Sequence, residues 1–414
     1  MPEHPLFPRH ARPLVLEALA DTRVVLVMGA RQVGKSTLTR AIATNDHPAR
    51  ILTLDDKTTR DSAIADPTAF IAGIDGPVLI DEVQRSPDLL FAIKESVDRD
   101  PTPGRFLLTG SANVLTAPKV YEALTGRIEI VRLWPLSQAE IEESGANFVD
   151  ALFAARPPQI SGAPIGRDAF VERVAQGGYP EARLRSGRRP ERWFENYLTT
   201  TFERDLREIA DVQKLEELSR LLRLLATQTA NLFVSVNLAG RLRISDKTVE
   251  SYTRLLETIF LVKRLPAWRP GLGAREIHAP KTYLVDTGLL THLLSANAQR
   301  IRTDEKITGK LLENFVAMEI VKHSEWAQTR TRQYHYRDGR DEVDLVLENR
   351  AGELVAVEVK AAATINERDY RTLAKLRDRR QERFLAGAVV YTGEQTIPLG
   401  ERIWAIPVSS LWKQ

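Results

Sequence analysis

The first third of the chain alternates short apolar runs with amphipathic stretches. Apolar runs occupy residues 24–28, 77–80 and 106–108, and a helix-like stretch covers residues 37–42. Continuous apolar runs bounded by polar turns are typical of parallel strands that are buried on both faces. The pattern predicts a helix over residues 1 to about 20 and a parallel α/β sheet over residues 21 to about 135.

The pattern becomes helical after Pro135, and a Gly-Gly-Tyr-Pro turn interrupts it at residues 177–180. Residues 212–270 predict three helices and a strand, an order that resembles a winged helix-turn-helix. Lys247 and Arg254 are expected on the outer face of its recognition helix, after Ser245 as N-cap. A spacer or protein-binding role is the alternative to DNA contact.

Composition indicates an ordinary soluble protein of several domains. The chain has 414 residues, of which 43% are hydrophobic and 27% charged, and it has no cysteine. The length predicts about two to four domains, and the missing thiols exclude disulfides and thiolate zinc sites. No apolar run reaches the roughly 18 residues of a membrane span, and the first residues do not resemble a signal peptide. We therefore expect a cytoplasmic protein with no membrane partner.

Basic residues cluster at 183–192 and again at 368–383, while the formal net charge of the chain is only +3. A modest positive excess permits nucleic-acid binding without requiring it. Solvated surface faces are the alternative explanation for both clusters.

A glycine-rich segment follows the first apolar run and precedes the first helical stretch. It fits the pattern G-x-x-x-x-G-K-[ST], and the residues predicted to contact nucleotide are Gly29, Ala30, Arg31, Gln32, Val33, Gly34, Lys35, Ser36 and Thr37. The glycines let backbone N–H groups face phosphate, and the new helix directs its positive end at the same anion. Lys35 is expected to reach the β- and γ-phosphates of ATP, and Ser36 to ligate Mg²⁺.

Two acidic residues, Asp81 and Glu82, end the next apolar run. The carboxyl ends of parallel strands meet at one sheet edge, where ligands of such sheets bind. Asp81 is therefore expected to hold Mg²⁺ through water, and Glu82 to orient or deprotonate the attacking water. The alternative is that both acids only cap the following helix.

These elements together resemble the AAA+ class of P-loop ATPases and its signal-transducing relatives. The resemblance implies a γ-phosphate sensor at Thr109, Ser111 or Asn113, where the third apolar run ends. It implies adenine contact by the turn that ends at Pro180, and an arginine-finger or sensor role for Arg127. The alternatives are a plain strand exit, a helix connector and a surface ion pair, respectively.

A second group of candidate residues lies near the C-terminus. Residues 354–360 alternate so that Glu358 and Lys360 share one face of a strand, and Asp344 lies on the preceding strand-like run. Glu313, on an amphipathic helix, could reach the same place. Carboxylate oxygens bind hard cations, so the acids are predicted to hold Mg²⁺ while Lys360 orients water or offsets phosphate charge. A cross-strand ion pair between Glu358 and Lys360 is the alternative.

The order Glu, Asp, Glu-x-Lys within helix, hairpin, strand and helix resembles the PD-(D/E)XK nuclease superfamily, although valine replaces proline before Asp344. The predicted fold class is α/β, with domains at 1–135 (AAA+-like P-loop ATPase core), 136–211 (helical lid), 212–270 (winged helix-turn-helix) and 271–414 (nuclease-like).

Two hypotheses follow. The first is an ATP-hydrolysing protein that acts on nucleic acid, with DNA as partner, self-association, and a metal-dependent nuclease-like domain. The second is an ATP-switched regulator or defence sensor that binds DNA or protein without cleaving. Convergence of Asp344, Glu358 and Lys360 around a metal cation favours the first hypothesis, and pairing with other side chains favours the second.

Overall fold

A computed structural model of the protein describes residues 7–110, 124–156, 165–206, 215–275 and 278–413. Among these residues, every helix is too short or too polar to cross a bilayer. Three sheets, of five, six and two strands, organise the described part of the chain.

The N-terminal sheet is parallel, as the sequence predicts, with strand order β2-β3-β4-β1-β5. Its strands are β1 (Val24–Met28), β2 (Arg50–Thr53), β3 (Val78–Asp81), β4 (Phe106–Gly110) and β5 (Ile128–Arg132). The accompanying helices are α1 (Ala11–Asp21), α2 (Lys35–Asn45), α3 (Lys57–Ala65), α4 (Pro67–Ala72) and α5 (Leu89–Arg99). β1, β3 and β4 are buried along their whole length, because helices cover both faces of the sheet. The carboxyl ends of β1 and β3 consequently lie at one edge.

The region after β5 is helical where it is described, as expected for residues 136–211. Its helices are α6 (Gln138–Ile141), α7 (Phe148–Phe153), α8 (Arg167–Gln176), α9 (Pro180–Arg183) and α10 (Arg189–Thr200). A capping box between Ser137 and Glu140 begins α6, because each residue satisfies a backbone N–H of the other.

Three helices and a two-stranded antiparallel sheet follow. They are α11 (Leu215–Thr227), α12 (Ser235–Leu242), α13 (Asp246–Thr258), β6 (Val262–Leu265) and β7 (Lys281–Leu284). Ser245 caps α13 by accepting the Thr248 N–H at 3.0 Å, and Lys247 and Arg254 are exposed. The sequence had placed residues 281–284 in the C-terminal domain, but β7 pairs with β6 and so extends the preceding region. The short helix α14 (Leu272–Arg275) lies between them.

The C-terminal sheet has six strands in the order β12-β13-β11-β10-β9-β8. The strands are β8 (Thr331–Asp338), β9 (Asp341–Asn349), β10 (Leu354–Lys360), β11 (Phe384–Tyr391), β12 (Ile397–Gly400) and β13 (Ile403–Pro407). The helices are α15 (Thr287–Leu293), α16 (Ala298–Thr303), α17 (Glu305–Trp326) and α18 (Glu367–Arg380). Alternate residues of β10 pack on opposite sides, Val355 and Val357 in the main core and Ala356 with Leu373 of α18 in a second one. The sheet is therefore covered on both faces.

Candidate functional site

The segment between β1 and α2 has the backbone of a phosphate-binding loop. Gln32 and Gly34 have positive φ values of 59° and 96°, which curl the chain before α2 begins. A side chain at Gly29 would place its Cβ 2.1 Å from the Leu133 carbonyl oxygen, so only glycine fits there. Lys35 donates to the carbonyls of Gly29 at 3.1 Å and Ala30 at 2.8 Å. The loop thus holds its lysine over its own turn, where phosphate oxygens are expected.

Hydrogen bonds between side-chain oxygens join this loop to β3. Ser36 Oγ donates to Asp81 Oδ1 at 2.8 Å, and the Thr109 hydroxyl from β4 donates to the same oxygen. Asp81 is only 3% exposed, and its other oxygen lies 3.5 Å from a guanidinium nitrogen of Arg40. A serine hydroxyl beside a buried carboxylate is a hard-oxygen pair of the kind that Mg²⁺ prefers, so the residues fit the predicted ion.

Glu82 is held in a strained conformation at the same sheet edge. Its backbone is left-handed, with φ 61°, and its N–H donates to Thr109 Oγ1 at 3.0 Å. The Gln84 side chain donates to its carboxylate. A left-handed non-glycine residue costs on the order of 1–3 kcal/mol and marks candidate functional positions.

A cleft opens beside the loop. Its volume is about 870 Å³, and its walls include Gly34 of the loop, Thr37 and Leu38 of α2, and Pro180 of α9. Arg9 fixes one wall by donating to the Val33 carbonyl at 2.5 Å. The cleft is large enough for a nucleotide, and Pro180 lies where adenine contact was predicted.

The turn that carries Pro180 is fixed from a distant part of the chain. The Gly178 N–H donates to Asp286 Oδ2 at 2.6 Å, and its carbonyl accepts the Leu136 N–H at 2.8 Å. A Cβ on Gly178 would lie 2.2 Å from the Leu136 carbonyl oxygen. Asp286 also caps α15 through Leu289. Burial raises the pKa of the Asp286 carboxyl, against the charge of Lys322.

Arg127 lies away from this edge. It directly precedes β5, and because β5 runs parallel to β1 it sits at the amino end of the sheet, opposite the phosphate loop. Its guanidinium pairs with Asp98 at 2.5 and 3.0 Å, which raises the pKa of Arg127. Action on nucleotide bound to its own subunit is thereby excluded, while action on a neighbour stays a prediction. Ser111 and Asn113 lie outside the described residues.

The C-terminal candidate residues do converge, but around a lysine. Lys281 of β7, 2% exposed, forms ion pairs with Glu313 at 2.8 Å, Glu342 at 2.8 Å and Asp344 at 2.9 Å. Although burial lowers it, these carboxylates together raise the pKa of the Lys281 ammonium. Tyr283 adds a hydrogen bond to Glu313 at 3.1 Å. An ammonium therefore holds the acids that were expected to ligate Mg²⁺.

Glu358 and Lys360 share a face of β10, as predicted, and pair with each other at 2.8 Å. Asp344 reaches this strand through the Val359 N–H, which donates to its Oδ2 at 2.9 Å. Burial and the Asp344 charge raise the pKa of Glu358 to about 8, and one Glu358 oxygen is buried without a hydrogen-bond partner.

The metal site predicted in the C-terminal domain therefore stays a prediction. Within the described ranges, no group of three or more histidine or acidic side chains is arranged to hold a metal ion. Lys281 lies between Glu313 and Asp344 and forms an ion pair with each. The sequence did not single out Lys281 as a site residue, but a lysine at the start of the strand-like run at 281–285 was a usable signal, since buried lysines require partners.

Three family models match the chain. An AAA domain matches residues 21–142, a domain of unknown function (DUF8612) matches residues 167–300, and another (DUF4143) matches residues 308–411. With the parallel five-stranded sheet, the first match shows that the chain carries an AAA-type P-loop ATPase domain. The other two carry no assigned activity.

Two curated proteins are similar over almost the whole chain. They are the uncharacterized proteins Rv2008c of Mycobacterium tuberculosis and Mb2031c of Mycobacterium bovis. Each is 30% identical over 407 residues, which cover 97% of this chain and 84% of the relative.

Solved structures give weaker similarities. A RuvB variant of Thermotoga maritima is 18% identical, with a TM-score of 0.28, over 62% of this chain and 87% of that one. A Drosophila ORC structure with AT-rich DNA and Cdc6 is 11% identical, with a TM-score of 0.22, over 69% of this chain and 90% of that one. TM-scores this low carry no argument about this chain.

Proposed function

The chain belongs to the same family as these two uncharacterized mycobacterial proteins, and we propose that it is a Mg²⁺-dependent ATPase that works as a nucleotide-controlled switch. The observation that carries the proposal is the hydrogen bond from Ser36 to the buried Asp81, which joins the phosphate loop to β3. Mg²⁺ bound there would neutralise charge on the terminal phosphates. Ser36 and Asp81 would hold the ion, and Glu82 would orient the attacking water.

Each side chain of this site has a separate task. Lys35 would exchange its two carbonyl contacts for phosphate oxygens, which are stronger partners because they are charged. Thr109 would hold Asp81 and Glu82 in position relative to each other, because its hydroxyl donates to the Asp81 carboxylate and accepts the Glu82 backbone N–H. Pro180 would close the adenine end of the cleft.

The experiment measures ATP turnover and nucleotide binding in the intact protein. Lys35→Ala should abolish turnover and weaken binding, and Asp81→Asn should lose Mg²⁺-dependent hydrolysis. Lys57→Ala, which alters an exposed lysine of α3, is the matched control and should behave as the wild type. Turnover that survives both site variants would overturn the proposal.

We further propose that the protein binds a partner through the region of α13, that its C-terminal domain does not cleave this partner, and that the protein self-associates. The support for the absence of cleavage is Lys281, because it forms ion pairs with two of the acids that a metal-dependent nuclease would need, Glu313 and Asp344. DNA is the proposed partner, through the exposed Lys247 and Arg254 of α13. Mobility-shift assays at increasing salt test this, and equal DNA affinity after Lys247→Ala and Arg254→Ala replacement would contradict it.

Metal-dependent nucleic-acid cleavage is the second candidate. The observation that favours it is the buried, unpartnered oxygen of Glu358 next to Lys360 and Asp344. The test is cleavage of single- and double-stranded DNA and RNA with Mg²⁺ or Mn²⁺, with and without ATP. Cleavage that disappears in Glu358→Ala and Lys360→Ala, while ATP hydrolysis survives, would establish this candidate, and absence of cleavage on every substrate would reject it.

A further inference from the structure

A cavity of about 560 Å³ lies where the ATPase sheet, the segment formed by α13 and β6, and the C-terminal domain meet. Met28 and Arg132 come from the ends of β1 and β5, Lys263 from β6, and Glu325 and Arg330 from α17 and the segment after it. Its volume is in the range of small-molecule sites. It is separate from the nucleotide cleft, whose walls share no residue with it.

The cavity carries unpaired positive charge. Among the described residues, no carboxylate lies within ion-pair distance of Lys263, Arg132 or Arg330. Lys263 is half-buried, and burial lowers the pKa of its ammonium, with Glu325 and Glu257 opposing this and Arg132 adding to it. An ammonium removed from water without a partner is costly, so an anion at this place would be favoured.

The two acidic residues of the cavity wall, Glu257 and Glu325, contact side chains other than Lys263. Glu257 binds the guanidinium of Arg264 at 2.7 Å, and Glu325 accepts the Trp134 indole N–H at 3.2 Å. Neither acid therefore pairs directly with Lys263. Because Glu257 is paired with Arg264, the three basic residues of the wall outnumber the one remaining carboxylate, that of Glu325, and the cavity keeps a net positive charge.

Two aromatic side chains, Trp134 and Phe260, also line the cavity. Trp134 and Phe260 meet edge to face, with centroids 5.3 Å apart. Phe260 has a left-handed backbone, with φ 57°, at the end of α13, where glycine is the usual residue. A bulky residue in this conformation is strained, and the ring of this strained residue lies at the cavity wall.

We propose that this cavity binds a small organic phosphate, with the phosphate at Lys263, Arg132 and Arg330 and an aromatic body against Trp134 and Phe260. The cationic trio supplies charge-assisted hydrogen bonds, and the two rings supply an apolar surface. The ligand is distinct from the nucleotide of the phosphate loop.

Isothermal titration calorimetry with phenyl phosphate and with inorganic phosphate tests the proposal. The protein carries Lys35→Ala, so that binding at the phosphate loop does not contribute. Phenyl phosphate should bind more tightly than inorganic phosphate, and Lys263→Met should weaken phenyl phosphate binding at least about tenfold, because the central charge is lost. Lys263→Arg should retain binding, and Lys57→Met is the matched surface control.

Thermal unfolding supplies the folding check. Phenyl phosphate should raise the melting temperature of the Lys35→Ala protein but not of the version that also carries Lys263→Met. No binding of either probe, or equal binding after Lys263→Met replacement, would overturn the proposal. Equal affinities for phenyl phosphate and inorganic phosphate would overturn the aromatic part of it.

Discussion

Replacement of Lys281 by methionine should destabilise the protein far more than loss of any surface lysine. The ammonium is buried and contacts three carboxylates at 2.8 to 2.9 Å. Removing one partner of a buried ion pair leaves uncompensated charge and costs about 3–5 kcal/mol. We expect a loss of free energy of unfolding in that range near pH 8.

The loss should depend on pH. Burial, and then the charge of Asp344, raises the folded-state pKa of Glu313 to about 8, with Lys281 opposing this, from an ordinary value of 4.5. A carboxyl whose pKa is raised on folding stabilises the folded state below its unfolded pKa, and this contribution is lost as pH rises through the folded pKa. Without the ammonium, the ionised acids repel one another. Lys281 lowers the pKa of Glu313, so its loss raises that pKa further, while the unfolded chains of wild type and variant titrate alike. The deficit of Lys281→Met should therefore grow as pH rises through about 8, where Glu313 ionises in the folded wild type and stays protonated in the folded variant.

Urea unfolding of wild type and variant at several pH values measures this deficit. Lys375→Met is the matched control, because Lys375 pairs with Asp341 at 2.7 Å but its side chain is 47% exposed. The control should lose less than about 1 kcal/mol. If Lys281→Met and Lys375→Met lose equal stability, or if the deficit of Lys281→Met does not change with pH, the described charge cluster is not what stabilises this region.

Other parts of the structure give further predictions. Gly178→Ala should weaken ATP binding measured by calorimetry, because its Cβ would lie 2.2 Å from the Leu136 carbonyl oxygen and displace the turn at the cleft; unchanged affinity would contradict that placement. ATP analogues that resist hydrolysis should favour self-association in light scattering, and Arg127→Ala should lower turnover only in the associated form. A strictly monomeric, fully active enzyme would exclude a role for Arg127 on a neighbouring subunit.

The geometry of the candidate ATP site could be predicted because its determinants are local. The residues from Gly29 to Ser36 are consecutive, and Asp81 meets Ser36 because parallel strands bring their carboxyl ends to one edge. The same rule, applied to Arg127, predicts that a residue before a parallel strand lies at the opposite edge. The register of Glu358 and Lys360 also followed from the period of two residues.

The residues that sequence reasoning missed depend on tertiary contacts. Asp286 bonds to Gly178 across a separation of 108 residues, and nothing in either local sequence indicates the partner. Lys281 reaches the acids of α17 and β9 only because β7 pairs with β6 and not with the C-terminal sheet. Local patterns predict strands, but the pairing of short strands depends on the packing of whole domains.

The most direct test of the central claim compares ATP binding and ATP turnover in Glu82→Gln. Glutamine keeps the shape of the side chain but removes the carboxylate that would activate water. We predict ATP affinity near that of the wild type, with hydrolysis slowed at least about 100-fold. Normal turnover in this variant would contradict the assignment of Glu82, and turnover unaffected in Lys35→Ala as well would contradict ATP hydrolysis at this loop.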